Sequence, residues 1–215
     1  MRTRLSPILI LITATSLALT AQPKPPAAPC DVPRDAPLAV VTGSKPADLW
    51  NSYAPSTKFP VPAGNPVAIG RRDGDWTCVS HYGSGYGWMI TNRLQPLQPD
   101  LHPLAVAWTG TWTPLGVKKQ PRDAVTKVVI STGAAPGSLK VNGEAYWFGA
   151  VVNGERVMHE GAVEGEAQTN ENRLHITEGA CEVDLSLIGG FLNVQDNRGC
   201  GGMNVTFTGV WQKTH

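Results

Sequence analysis

Glycine and proline constrain this chain more than any other feature of its sequence. It contains 23 glycines and 18 prolines in 215 residues, scattered so that few stretches could hold a long helix. Apolar and polar residues alternate instead, most clearly over 181–188 and 203–211. A period of two places every second side chain on the same face of a strand. The sequence therefore predicts an all-β fold in which each sheet buries one face.

The clearest hairpin spans 181–196 and turns at the Gly-Gly pair 189–190. Both positions of a two-residue primed turn need a positive φ, which glycine adopts without strain. The resulting register places Cys181 opposite Arg198. A disulfide from Cys181 to Cys200 would therefore close the open end of the hairpin, contributing about 3 kcal/mol on the chain-entropy model.

Aromatic residues flank a glycine at both ends of the C-terminal unit, 104–215. The segment 106–112 opens the unit and 205–211 closes it, so the first and last strands are predicted to meet and close a small antiparallel barrel or sandwich. The opening Gly-x-Trp resembles lipocalin and avidin-type barrels, which implies an interior for side chains or one small ligand. The residues predicted to share a strand face there are Val106, Trp108, Gly110 and Trp112.

The segment 73–97 carries the most distinctive pattern. An acidic-Gly turn precedes Trp76, a Gly-rich turn precedes Tyr86-Gly87-Trp88, and Asn92-Arg93-Leu94 has the form of a single helical turn before a last strand. This pattern resembles the distal part of a bacterial SH3-like (SH3b) domain. The resemblance covers about 37–97 and is clearest from Val67 onward. The stretch 47–63 is predicted to be an unusually long connection.

In that family the loops beside these strands form a shallow, aromatic-lined groove. The resemblance implies a groove formed by Trp76, Tyr82, Tyr86 and Trp88, whose flat rings with polar tips suit peptides and sugars. The alternative is that Trp76 and Trp88 fill the core of a very small barrel. Bacterial members often bind the cell wall beside a papain-like hydrolase. Cys181 lies in a strand pattern rather than at the start of a helix, so no such hydrolase is predicted here.

The N-terminus has the pattern of a secretory signal peptide. Basic residues at 2 and 4 precede an apolar run over 5–19, and small residues at 20–21 precede a proline-rich stretch. Cleavage is predicted after Ala21, which gives a periplasmic or secreted protein. The run is shorter than the roughly 20 residues of a membrane span, so no membrane insertion is predicted after cleavage.

Four cysteines in an oxidising compartment favour two disulfides. Four cysteines allow three pairings, and the spacing favours Cys30–Cys78 and Cys181–Cys200. Neither pair has the spacing of a zinc site or a CxxC redox site. The formal net charge is +1 without any run of basic residues, which predicts no binding to nucleic acid.

The segment 195–204 is the densest loop signal in the chain, because Asp, Asn and Gly all favour tight turns. One interpretation is a disulfide-pinned turn that feeds the last strand. The other is a rigid recognition loop, with Asp196, Asn197 and Arg198 as the candidate contact residues. His159 and Glu160 are the only adjacent histidine and carboxylate, and neighbours on a strand face opposite ways. No catalytic residue, metal or cofactor is predicted.

The predicted organisation is a signal peptide over 1–21, a Pro/Ala-rich linker over 22–37, an SH3-like domain over 38–97, a joint over 98–103 and a β-barrel domain over 104–215. We predict a non-enzymatic periplasmic or secreted protein. Its SH3-like domain is expected to bind peptidoglycan, other cell-wall material or a peptide segment of a wall-associated protein. The alternative is a periplasmic inhibitor of a hydrolase acting through 196–204. A hydrolase with scattered catalytic residues and a small-ligand carrier stay open.

Overall fold

The computed structural model describes residues 23–51, 54, 57–81, 85–116, 120–122 and 124–214. The predicted signal peptide and Tyr82 lie outside these residues. The fold is all-β, with two antiparallel sheets packed against each other. No helix in the described part of the chain has the length and apolar composition that crossing a membrane would require.

The N-terminal sheet contains seven strands and covers 38–96. Its strands are β1 (Leu38–Val41), β2 (Ala47–Asn51), β3 (Lys58–Val61), β4 (Pro66–Asp73), β5 (Trp76–His81), β6 (Gly85–Ile90) and β7 (Leu94–Pro96). They are hydrogen-bonded in the order β3-β2-β6-β5-β4-β1-β7. A 3-10 helix, Thr91–Arg93, connects β6 to β7, so the helical turn predicted at 92–94 is confirmed to within one residue.

The C-terminal sheet contains eight strands and covers 110–214. A one-turn helix, α1 (Ala105–Trp108), precedes β8 (Gly110–Pro114), β9 (Lys127–Thr132), β10 (Ser138–Val152), β11 (Glu155–Gln168), β12 (Arg173–Glu178), β13 (Cys181–Ile188), β14 (Phe191–Asp196) and β15 (Gly209–Thr214). Their order is β11-β10-β9-β8-β15-β14-β13-β12. Each strand pairs with its sequence neighbour, except that β15 returns to β8 and leaves β11 and β12 as the two edges.

The pairing of β8 with β15 confirms that the first and last strands meet, with Trp112 opposite Lys213 and Pro114 opposite Trp211. The sheet thereby forms a nearly closed barrel. The predicted hairpin is also confirmed, since Ile188 pairs with Phe191 across β13 and β14. All eight strands send apolar side chains into one core, and its largest members are Trp108, Trp112, Phe207 and Trp211.

Both predicted disulfides are present, Cys30–Cys78 and Cys181–Cys200. Such bonds are typical of an oxidising compartment. Cys30–Cys78 holds the segment predicted as a linker against the N-terminal sheet. There the Arg71 guanidinium donates to the Pro29 carbonyl at 3.1 Å. The segment passes so close to Gly70 that a Cβ at that position would collide with the Asp31 carbonyl, so only glycine fits there.

Three strand predictions need correction. The alternation over 203–211 is a strand only from Gly209 onward, because 206–208 hydrogen-bond to the Asp196 carboxylate and Met203 is exposed. The alternation over 106–112 is only partly a strand, because 105–108 forms the helical turn α1, which buries Trp108 and exposes Val106. Lys213 donates to the Val106 and Ala107 carbonyls at the end of that turn. The connection predicted over 47–63 contains the strand pair β2 and β3, with Leu49 opposite Phe59.

Candidate functional site

One row of side chains leads from the contact between the sheets into an open cleft. Leu38, Ala68, Ser80 and Tyr86 lie side by side across β1, β4, β5 and β6. Leu38 and Ala68 are buried in an apolar cluster shared with Val210 of the other sheet. Tyr86 at the far end of the row is 42% exposed. The two sheets therefore touch at one end of this row and separate at the other.

The cleft between the sheets, hereafter the inter-sheet cleft, has a volume of about 730 Å³. The N-terminal sheet contributes Ser80, His81 and Tyr86. The C-terminal barrel contributes the polar side chains of Asn193, Gln195, Arg198, Asn204 and Thr206, among others. Arg34, from the segment before β1, completes the lining. The site is thus mostly polar, with one tyrosine, one histidine and two arginines.

Asp196 lies at the centre of the loop that forms the barrel side of the inter-sheet cleft. Its buried carboxylate accepts hydrogen bonds from the Phe207 backbone N–H at 2.7 Å and from the Thr206 and Thr208 hydroxyls at 3.0 and 2.9 Å. The Arg198 backbone N–H adds a fourth at 3.3 Å. The pairing of β15 with β14 begins only at Gly209. The Asp196 carboxylate therefore supplies hydrogen-bond acceptors to 206–208 in place of a neighbouring strand.

The predicted recognition loop thus divides into structural and exposed residues. Asn197 is structural: its side-chain oxygen accepts from the Gly199 backbone N–H and its amide donates to the Ala180 carbonyl, at 2.8 and 2.9 Å. Asp196 is structural for the reason just given. Arg198 is exposed at a φ of 61° and lines the inter-sheet cleft. Inhibition of a hydrolase by this loop stays a prediction.

The predicted groove residues that the structure describes differ in their exposure to solvent. Trp76 and Trp88 are buried in a cluster with the Cys30–Cys78 disulfide, so they form part of the core and present no ring to a groove. The Arg71 guanidinium covers the Trp88 ring at 4.9 Å from its centre. Tyr86 alone among the described candidates is exposed. Tyr86, Asp196 and Arg198, predicted from two different domains, line the same cleft.

His81 and Arg34 belong to the cleft but carried no sequence signal. The residues next to them in the sequence give no indication that the two sheets meet there. Burial lowers the pKa of His81, so its ring is neutral at neutral pH. Arg34 is exposed at the cleft edge.

The barrel interior is filled by side chains. Trp108, Trp112, Phe207 and Trp211 are all fully buried within the cluster that the eight strands surround. The Trp112 and Trp211 indole N–H groups donate to the Trp108 and Phe207 carbonyls at 2.8 and 3.0 Å. A packed core of this kind disfavours a carrier that holds a small ligand inside the barrel.

One surface array has the residue types of a hydrolase. The His175 imidazole contacts Asp184 at 2.8 Å through Nδ1 and the Thr177 hydroxyl at 3.1 Å through Nε2. All three lie on the exposed face of β12 and β13. Among the described residues, no three His, Cys, Asp or Glu side chains form a metal-binding group.

Comparisons of this chain with models of known protein families, with curated proteins and with solved structures found no match.

Proposed function

We propose that this protein is a non-enzymatic binding protein of the periplasm or the extracellular space, and that it binds cell-wall material in the inter-sheet cleft. The observation that carries the proposal is the convergence of Tyr86 and Arg198, which come from different sheets, on one open cleft. The two disulfides and the signal-like N-terminus support the location.

The chemistry of the cleft fits peptidoglycan fragments. A tyrosine ring offers a flat surface against which a sugar or a peptide can pack, with a hydroxyl at its tip. Arg34 and Arg198 supply guanidinium donors for the carboxylates of wall peptides. The amides and hydroxyls of the barrel side supply the directional hydrogen bonds that a polar ligand needs.

The site is held in place before any ligand arrives. The Cys181–Cys200 disulfide, the Asp196 carboxylate and the Asn197 amide fix the loop that carries Arg198. On the opposite side, the Cys30–Cys78 disulfide fixes the segment that carries Arg34. Binding therefore orders few groups, which reduces its entropic cost.

Co-sedimentation with purified peptidoglycan sacculi tests the proposal. The protein lacking its predicted signal peptide is incubated with sacculi at physiological salt, beside a Tyr86→Ala/Arg198→Ala double variant. A matched control, Tyr146→Ala/Arg156→Ala, removes the same residue types away from the cleft. We expect the wild type and the control to pellet and the cleft variant to stay in solution at the same concentrations.

Equal pelleting of all three proteins would show that the sacculi bind outside the cleft. If the wild type did not pellet, the proposal that the protein binds the cell wall would be contradicted. Circular dichroism of each variant shows beforehand that it is folded.

A further inference from the structure

A second surface lies on the hairpin of β10 and β11. These strands pair with each other from Ser138/Gln168 to Val152/Glu155, but β9 pairs with β10 only as far as Glu144. The Tyr146 backbone N–H donates to Thr126 Oγ1 at 3.1 Å, and His159 Nδ1 contacts the Met203 carbonyl at 2.6 Å. Trp147, between them in the ribbon, packs against the barrel core. Beyond them 148–158, hereafter the arm, is a two-stranded ribbon.

The arm has a defined shape. Asn153 and Gly154 form its two-residue turn with φ values of 54° and 86°, which suits the twist of a tight hairpin. Five residues of β10 and four of β11 precede and follow the turn, so the arm extends about 15 Å at the usual rise per residue. It is a narrow convex element beyond the point where β9 stops pairing with β10.

The arm exposes apolar side chains that folding does not require. Val151, Val152, Val157 and Met158 are between 37% and 58% exposed. A two-stranded ribbon has no second layer to cover such residues, and isolated hairpins are only marginally stable in water. Val151 and Met158 lie on one face of the ribbon, and Val152 and Val157 lie on the other, so the arm exposes apolar side chains on both faces. Exposed apolar surface on a protruding element is typical of a surface that contacts a partner.

The base of the arm is acidic. Phe148 and Met158 face each other on the outer side of the ribbon, and Tyr146 stacks on Phe148 with ring centres 6.4 Å apart. The same side then leads into a hollow lined by Glu144, Glu160 and Glu178. Burial, together with the Glu144 and Glu160 carboxylates, raises the pKa of Tyr146. Lys127, which pairs with Glu144 at 3.2 Å, is the one cation that directly contacts these three carboxylates in the described ranges.

We propose that the arm docks into a cleft of a basic protein, with the apolar tip inside the cleft and the acidic hollow against its positively charged rim. Charge selects this occupant. A second copy of the chain docked arm to arm would bring two acidic hollows together, and an anionic lipid surface would be repelled by them. The convex shape requires a concave partner. The inference is independent of the inter-sheet cleft, since none of the residues that carry it lines that cleft.

Site-specific photo-crosslinking tests the arm. A benzoyl-phenylalanine placed at Val152, or at the control position Leu101, is irradiated in the envelope fraction of cells that secrete the protein, and the adduct is identified by mass spectrometry. Leu101 is also exposed and apolar, but lies in the joint between the sheets. The adduct protein is then purified and its affinity for the unmodified chain is measured by calorimetry at 50 and 300 mM salt.

We expect an adduct specific to position 152 whose protein is basic, and an affinity that decreases at least tenfold between the two salt concentrations. Met158→Asp and Glu160→Lys should each weaken binding at least tenfold. The controls Leu101→Asp and Asp75→Lys, and the Tyr86→Ala/Arg198→Ala variant, should leave it unchanged. The Tyr86→Ala/Arg198→Ala variant thus distinguishes loss of binding at the arm from loss of binding at the inter-sheet cleft.

Several outcomes would overturn the inference. They are an adduct with a second copy of this chain, an adduct with an acidic protein, no adduct above that at Leu101, and binding of the chain to phosphatidylglycerol vesicles that Met158→Asp abolishes. All the substituted side chains are exposed, and thermal unfolding of each variant shows whether the fold is intact.

Discussion

Asp196→Ala tests the claim that one carboxylate holds the loop of the inter-sheet cleft in place. The substitution leaves the buried Phe207 N–H without its acceptor, which costs about 1–3 kcal/mol. It also removes charge-assisted bonds from the Thr206 and Thr208 hydroxyls, which can turn toward other acceptors. We therefore expect the free energy of unfolding to decrease by about 3 kcal/mol, within the range for a broken buried network.

The assay is urea unfolding under oxidising conditions, followed by tryptophan fluorescence. Asp184→Ala is the matched control, because Asp184 lies on the same hairpin but is exposed, and its carboxylate contacts His175 at 2.8 Å. An exposed pair contributes about 0–1 kcal/mol. Asp196→Asn, which keeps one acceptor oxygen and the shape of the side chain, should fall between the two. Equal stability of Asp196→Ala and Asp184→Ala would refute the reasoning.

Two further predictions concern pH and covalent bonding. Because burial lowers the pKa of His81 below its ordinary value of 6.5, the unfolded chain takes up this proton first as the pH falls. The free energy of unfolding is therefore highest above about pH 6.5 and decreases below it. In urea unfolding, the His81→Gln variant should show a smaller decrease. An identical pH profile for the two proteins would contradict this reasoning. Replacing both Cys181 and Cys200 by Ser opens a cross-link with a sequence separation of 19, so we expect a loss of about 3 kcal/mol in the same assay. A loss below about 1 kcal/mol would show that the loop is held mainly by Asp196.

Local pattern was sufficient for much of the fold. The Gly-Gly turn and the alternation beside it determine the register of β13 and β14, because a one-residue slip would expose the whole apolar face. Aromatic residues on β8 and β15 indicated that the barrel closes. The two disulfides followed from the spacing of four cysteines.

The structure departs from what the sequence pattern suggests where tertiary contacts decide. The alternation at 106–112 looks like a strand, but a helical turn buries Trp108 in the end of the barrel and lets Lys213 reach its carbonyls. Trp76 and Trp88 resemble groove residues in sequence, although a small sheet with one disulfide needs their volume for its core. Asp196 looks like a contact residue because its four donors are ten or more positions away, apart from Arg198.

The two surfaces differ in how far they could have been predicted. The arm had a readable signal, since an Asn-Gly pair at 153–154 follows Val151-Val152 and precedes another alternating stretch. What the sequence could not show is that β9 ends too early to cover it. The inter-sheet cleft had no such signal, because it depends on packing between the two sheets, such as that of Leu38 and Ala68 against Val210.

Chemical-shift mapping tests the central proposal most directly. Backbone amide spectra of the labelled protein are recorded while solubilised peptidoglycan fragments are added to saturation. We predict that the perturbed amides lie around the inter-sheet cleft, at Ser80, Tyr86, Arg198 and Thr206, and that the arm is unaffected. Perturbations confined to the arm, or no perturbation at millimolar fragment concentrations, would contradict wall binding at this cleft.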